Sequence, residues 1–123
     1  MPKTPVITEA EWKVMKVLWA KSPQPAFDIV EALKAEEWHS NTIKTMLTRL
    51  AKKKALKTSR YKNLHLYEPL VSEAECVQAE SNDFLHRFFG GSVKPLLVHF
   101  AKSRKLSQAD LDELKAMLKK EKP

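Results

Sequence analysis

Ile43, Met46, Leu47 and Leu50 recur at i, i+3, i+4 and i+7, which makes residues from about 41 to 53 a helix with one buried side. The opposite side then presents Asn41, Lys44, Thr45, Thr48 and Lys52. Threonine and asparagine are weaker helix formers than glutamate or alanine, so a face built only for solvent would avoid them. Short amide and hydroxyl groups near the start of a helix, with cations further along, suit a major groove. There the polar groups meet base edges while Lys and Arg meet phosphates. Ser40 is the expected N-cap. The candidate DNA-contacting set of this helix is Ser40, Asn41, Thr42, Lys44, Thr45, Thr48, Arg49 and Lys52.

Two helices are expected before it. Thr8 and Glu11 have the spacing of a capping box, and Ile7 and Trp12 that of a hydrophobic staple. Trp12, Met15, Leu18 and Trp19 then share one face. Pro23 and Pro25 close this helix and open the next, which runs from about Ala26 to Ala35 with Ala26, Ile29, Val30 and Leu33 inward. After the third helix, Ala55 to Thr58 and Leu64 to Tyr67 read as short strands, with Leu64, Leu66 and Tyr67 toward the helices. The intervening turn would hold out Arg60, Tyr61 and Lys62 as a wing over the sugar-phosphate backbone. Three helices and a hairpin in about 70 residues make a winged helix-turn-helix.

Charge supports a polyanion as the partner of this region. Of a net charge of +7, residues 1–72 carry +6 (13 Lys+Arg against 7 Asp+Glu) and residues 73–123 carry +1 (9 against 8). No acid lies between Glu37 and Glu68, an interval that holds Lys44, Arg49, Lys52, Lys53, Lys54, Lys57, Arg60 and Lys62. A winged helix can also bind RNA or act architecturally without operator specificity. RNA recognition calls for exposed stacking aromatics, for which Tyr61 is the one good candidate in the basic block.

Pro69 marks the end of the first region, so the expected domains are residues 1–71, binding DNA, and residues 72–123, helical and dimerising. Ser72 caps a helix to Phe89, stopped by Gly90 and Gly91. A shorter helix follows from Val93 to Lys102, and Ser107 with Asp110 starts the last. Their stripes, Phe84, Phe88, Val93, Leu96, Leu97, Phe100, Leu111, Leu114 and Leu118, cannot be well buried within about 50 residues. A second copy of the segment would cover them, the alternative being that they fold back onto their own winged helix, and a two-fold dimer also matches two operator half-sites. The fold class is therefore mainly α with a small β-hairpin wing.

Other functions find little support. The four histidines sit in separate segments, and with one cysteine, Cys76, they form no metal-ligand spacing or nucleophile–base pair. There is no glycine-rich phosphate cradle, since Gly90 and Gly91 are the only glycines. The expectation is a non-enzyme without metal or other cofactor. No apolar run reaches the ~20 residues needed for a bilayer, and no secretory signal opens the sequence, so the expected location is the cytoplasm, without membrane insertion.

Three stretches resemble the BlaI/MecI penicillinase-repressor family, which includes copper-responsive relatives. They are TEAEWKVMKVLW, WHSNTIKTMLTRLAKKK and LSQADLDELKAMLKK, in family order over about Ile7 to Lys120. Glu11-Trp12-Lys13-Val14-Met15 and Thr42 through Leu50 carry the two motifs. The resemblance implies a dimeric winged-helix repressor of inverted-repeat operators, dimerised through its C-terminal helices, with antibiotic (β-lactam) resistance or a related stress response under its control. It also implies, as partner of β-lactam-responsive members, a membrane-bound metalloprotease sensor that triggers cleavage at an Asn-Phe bond. The matching positions here are His99 and Phe100. The paired Cys-x-Cys motifs of the copper branch do not occur, and the glycine usual after the third helix is replaced in Lys53-Lys54-Ala55.

Overall fold

The computed structural model describes residues 4–121, apart from the side chains of Leu118, Lys120 and Glu121. The dimerisation candidate Leu118 thus lies outside the described side chains. Thr8 starts α1 (Glu9–Ala20) as its spacing predicts. The Glu11 N–H donates to Thr8 Oγ1 at 3.1 Å, and the Thr8 N–H donates to Glu11 Oε1 at 2.9 Å. Val14, Met15 and Leu18 of α1 are fully buried, whereas Trp12 and Trp19 are half-buried and meet edge to face at 5.3 Å. The tryptophans therefore border the core, and Val14, absent from the expected stripe, lies at its centre.

The next helix is shorter than expected. A two-residue strand β1 (Gln24–Pro25) leads into α2 (Ala26–Ala32), and a 3₁₀ turn at Lys34–Glu36 takes the place of its last turn. Gln24 is buried because its side-chain amide donates to the Val17 and Lys21 carbonyls, covering the end of α1. The third helix, α3, is Ser40–Lys52. Its cap is His39 instead of Ser40: the His39 ring Nδ1 accepts from the Asn41 N–H at 3.0 Å, and Ser40 already has helical backbone. Ile43, Met46, Leu47 and Leu50 are all buried, as the periodicity requires.

Lys54 turns the chain out of α3 at φ +64°. Its N–H donates to the Ala51 carbonyl and the Ala55 N–H to the Leu50 carbonyl, the paired bonds of a Schellman ending. Strands β2 (Leu56–Tyr61) and β3 (Leu64–Pro69) then form an antiparallel hairpin, and β1 pairs with the far edge of β3 in the order β1-β3-β2. Tyr61 faces Leu64 in register, so the turn is only Lys62-Asn63. Arg60 and Tyr61 are strand residues, a correction to the wider turn expected from sequence. Leu64 is also corrected: it is 51% exposed, while Ala55 and Leu56 fill the core position instead. β-propensity located the strands but gave their ends poorly, because pairing with β3 extends β2 through polar residues.

The chain divides into two compact units between Ala79 and Glu80, inside α4 (Glu73–Phe89). The division falls later than Ser72 because the first turns of α4 belong to the N-terminal core. Cys76 is buried there, Lys16 Nζ donates to Glu73 Oε2 at 2.6 Å, and the Trp19 indole donates to the Val71 carbonyl at 2.9 Å. The second unit holds the rest of α4, then α5 (Val93–Lys102) and α6 (Gln108–Glu121). Gly90 and Gly91, at φ +61° and +85°, end α4, and Ser107 and Asp110 form the reciprocal cap of α6. Among the described residues from Glu80 onward none is buried. Among the described residues no helix is long and apolar enough to cross a membrane.

Candidate nucleic-acid interface

The polar face of α3 is open to solvent. Asn41, Thr42, Lys44, Thr45, Thr48, Arg49 and Lys52 are all exposed, and Ser40 is half-buried. The four buried residues behind them hold this face rigidly outward, because a core residue cannot turn out without opening a cavity. Two of the hydroxyls are already engaged: Thr45 donates to the Asn41 carbonyl at 2.9 Å and Thr48 to the Lys44 carbonyl at 3.1 Å. Each threonine therefore offers a partner its oxygen lone pairs and its methyl group, not a free proton.

The face has two flanks. Toward α1, Thr42, Thr45 and Arg49 line a depression with Thr8 and Glu11. Toward the hairpin, Ser40, Lys44 and Thr48 line a second one with Phe27, Asn63, Leu64 and His65. The wing candidates Arg60, Tyr61 and Lys62 stand at the end of that hairpin, all exposed. Lys62 occupies the left-handed region at φ +57°, and its Nζ lies 5.5 Å from the Tyr61 ring centre. The structure thus brings the hairpin beside α3. It also adds Phe27, Asn63 and His65, which carried no charge or periodicity signal in the sequence, and Leu64, which was expected in the core.

Electrostatics follow from who is neutralised. Of the eight cations in the acid-free interval, Lys53 pairs with Glu11 at 2.7 Å and Lys57 lies 3.8 Å from Glu68. Among the described residues Lys44, Arg49, Lys52, Lys54, Arg60 and Lys62 form no ion pair, so their positive field is available to an external anion. Lys53 also donates to the Val6 carbonyl at 2.9 Å, which fastens the end of α3 to the start of α1. The Glu11 carboxyl would be raised by its burial, but the Lys53 ammonium and the Thr8 hydrogen bonds prevail and hold it below the ordinary carboxylate value.

Comparison with known proteins gives one consistent result. The sequence profile of the family described as penicillinase repressor matches residues 7–120. The penicillinase repressor of Bacillus licheniformis is 34% identical over 123 residues, covering 99% of this chain and 96% of that protein. The methicillin resistance regulatory protein MecI of Staphylococcus aureus is 32% identical over 119 residues, covering 96% and 97%. Among solved structures, the monomeric form of Bacillus licheniformis BlaI in complex with the blaP half-operator superposes with a TM-score of 0.54 at 37% identity. It covers 61% of this chain and 93% of that one.

Proposed function

This chain belongs to the penicillinase repressor family, and we propose that it is a sequence-specific transcriptional repressor that binds an inverted-repeat operator as a homodimer. It acts in the cytoplasm as a DNA-binding protein, not an enzyme. The carrying observation is the exposed Asn41, Lys44, Thr45, Thr48 and Lys52 face of α3, backed by a fully buried stripe and flanked by unneutralised cations. In this assignment α3 enters the major groove. Asn41 and Thr45 meet base edges, while Lys44, Arg49, Lys52, Arg60 and Lys62 meet phosphates. The names of the relatives make β-lactam resistance the trait we propose it controls.

Dimerisation, expected of residues 72–123, is assigned to the unit that begins at Glu80, and DNA binding, expected of residues 1–71, to the unit that ends at Ala79. The supporting observation is how much apolar surface the C-terminal unit leaves uncovered. Phe84, Phe88, Val93 and Leu97 are 43%, 62%, 50% and 39% exposed, and Leu96, Phe100, Leu111 and Leu114 are only half-buried. A second copy would bury these side chains and set two α3 helices about one DNA turn apart. A membrane-bound metalloprotease sensor is the proposed source of induction, acting at His99-Phe100. Both residues lie within α5, so the segment must unwind locally before a protease can take it as an extended strand.

The test is sedimentation and binding by the full chain. It should sediment as a dimer, enrich an inverted-repeat duplex from a randomised pool, and hold that duplex ~10³ or more tighter than bulk DNA. A chain ended at Gly91 should be monomeric and bind weakly. A monomeric full chain overturns the dimer, and equal affinity for the enriched duplex, random DNA or RNA overturns operator specificity.

A further inference from the structure

The depression between α2, α3 and the hairpin has a volume of about 600 Å³ and none of its lining residues is acidic. Two large apolar side chains stand in it without burial: Phe27, at the second position of α2, is 72% exposed, and Leu64, which opens β3, is 51% exposed. Both could be polar without cost to the core, because neither belongs to it. Lys44 and Thr48 line the same depression from the groove face of α3, so it is continuous with the proposed DNA interface.

Resting on that interface, we infer that Phe27 and Leu64 form an apolar seat for the deoxyribose edges of one DNA strand. With α3 in a major groove and the hairpin over the next backbone, the strand that separates the two grooves runs across this depression. Its phosphates face outward to Lys44 on one side and to Arg60 and Lys62 on the other. Its sugars, whose surface is largely C–H, turn toward the two apolar side chains. Contact there excludes water from both surfaces and contributes affinity that carries no charge. It therefore differs from every lysine contact in its response to salt. The seat recognises a deoxyribose strand of any sequence, and its role is to fix the hairpin's distance from α3 on the duplex.

The experiment titrates a duplex enriched by this protein from a randomised pool, and a random duplex of equal length, over a series of salt concentrations. Phe27→Ala and Leu64→Ala should each weaken both duplexes by about tenfold, with the dependence of log K on log salt unchanged and the thermal midpoint kept. Phe27→Leu should retain most of the affinity. Loss confined to the enriched duplex, and reproduced there by replacing thymine with uracil, would mean a thymine methyl contact and overturn the sugar assignment. Unchanged affinity in both alanine variants would overturn the seat while leaving the repressor assignment standing. Failure of the unmodified protein to prefer the enriched duplex would instead strike the repressor assignment itself.

Discussion

Replacing Lys53 by methionine asks how firmly α3 is tied to the rest of its unit. Glu11 is 3% exposed, and its Oε1 accepts from Lys53 Nζ at 2.7 Å and from the Thr8 N–H at 2.9 Å. Methionine keeps much of the lysine stem and removes the charge, leaving a buried carboxylate with Thr8 alone. Stranding one member of a fully buried pair costs ~3–5 kcal/mol. The Lys53 side chain is 31% exposed, so water shares the load and about 2 kcal/mol is expected at pH 7. For a unit of this size that is roughly 8–16 °C in Tm. The pH dependence supplies the sharper test. In the parent protein the folded Glu11 carboxyl lies below its unfolded value of 4.5, so its stabilisation is complete above 4.5 and fades as pH falls through the lowered value. In Lys53→Met only the Thr8 hydrogen bonds still oppose burial, so the folded carboxyl lies higher than in the parent and less of the stabilisation present above pH 4.5 is retained. The gap between the two proteins should be full at pH 7 and nearly closed at about pH 3, measured by thermal unfolding. Adding Glu11→Gln should recover at least half of the loss at pH 7. A gap that is absent, or equally wide at both pH values, refutes the coupling.

Lys54 holds φ +64°, where a side chain costs about 1–2 kcal/mol, and subtracting the ~0.5–1 kcal/mol entropy of the unfolded glycine leaves Lys54→Gly more stable by about 0.5–1 kcal/mol, read as a raised urea midpoint. A lowered midpoint would mean that the Lys54 side chain stabilises the unit. Thr45→Ala should cost about 1–3 kcal/mol at one base step of a selected duplex and little at any other, read from a panel of single-base variants. Uniform loss across the panel would assign Thr45 to the backbone. Lys62→Ala should weaken selected and random duplexes alike and reduce the slope of log K against log salt by about 1. A change in base preference would move the hairpin off the phosphates.

Much of the fold was legible because each helix declares itself locally. Thr8 with Glu11 and Ser107 with Asp110 close the reciprocal caps that their spacing announces, and Ser72, expected as a cap, closes one with Glu75. The stripe of α3 was complete for the same reason: four buried residues at helical spacing admit only one rotation. What escaped depends on partners far along the chain. β1 exists only because Gln24 and Pro25 meet Tyr67 and Leu66, and nothing within residues 22–26 encodes that pairing. His39 displaced Ser40 as cap because a ring nitrogen two residues before Asn41 happened to face its N–H. Leu64 was expected to face the helices, and only the packing of the hairpin against α2 and α3 leaves it outside the core; Phe27, outside the inward set of its helix, is exposed as that set implies.

The placement of charge explains why the interface had to be built on a strongly fastened helix. A cluster of unneutralised cations repels itself and works against the compact state, and removing acids from residues 38–67 gives up the usual local compensation. The two compensations that remain come from outside that interval. Glu11 reaches from α1 to the C-cap of α3, and Glu68 lies across the hairpin from Lys57. Both pairs engage cations at the roots of the two elements proposed to face DNA, leaving Lys44, Lys52, Arg60 and Lys62 open on their exposed sides. Neutralising a cation on the outer face would stabilise the unit by a similar route but subtract one of the proposed phosphate contacts. On the proposed interface the acids serve folding where they cost binding least, and Glu11 does so more strongly than Glu68 because its carboxylate is buried, whereas Lys57 and Glu68 are both open to water and salt.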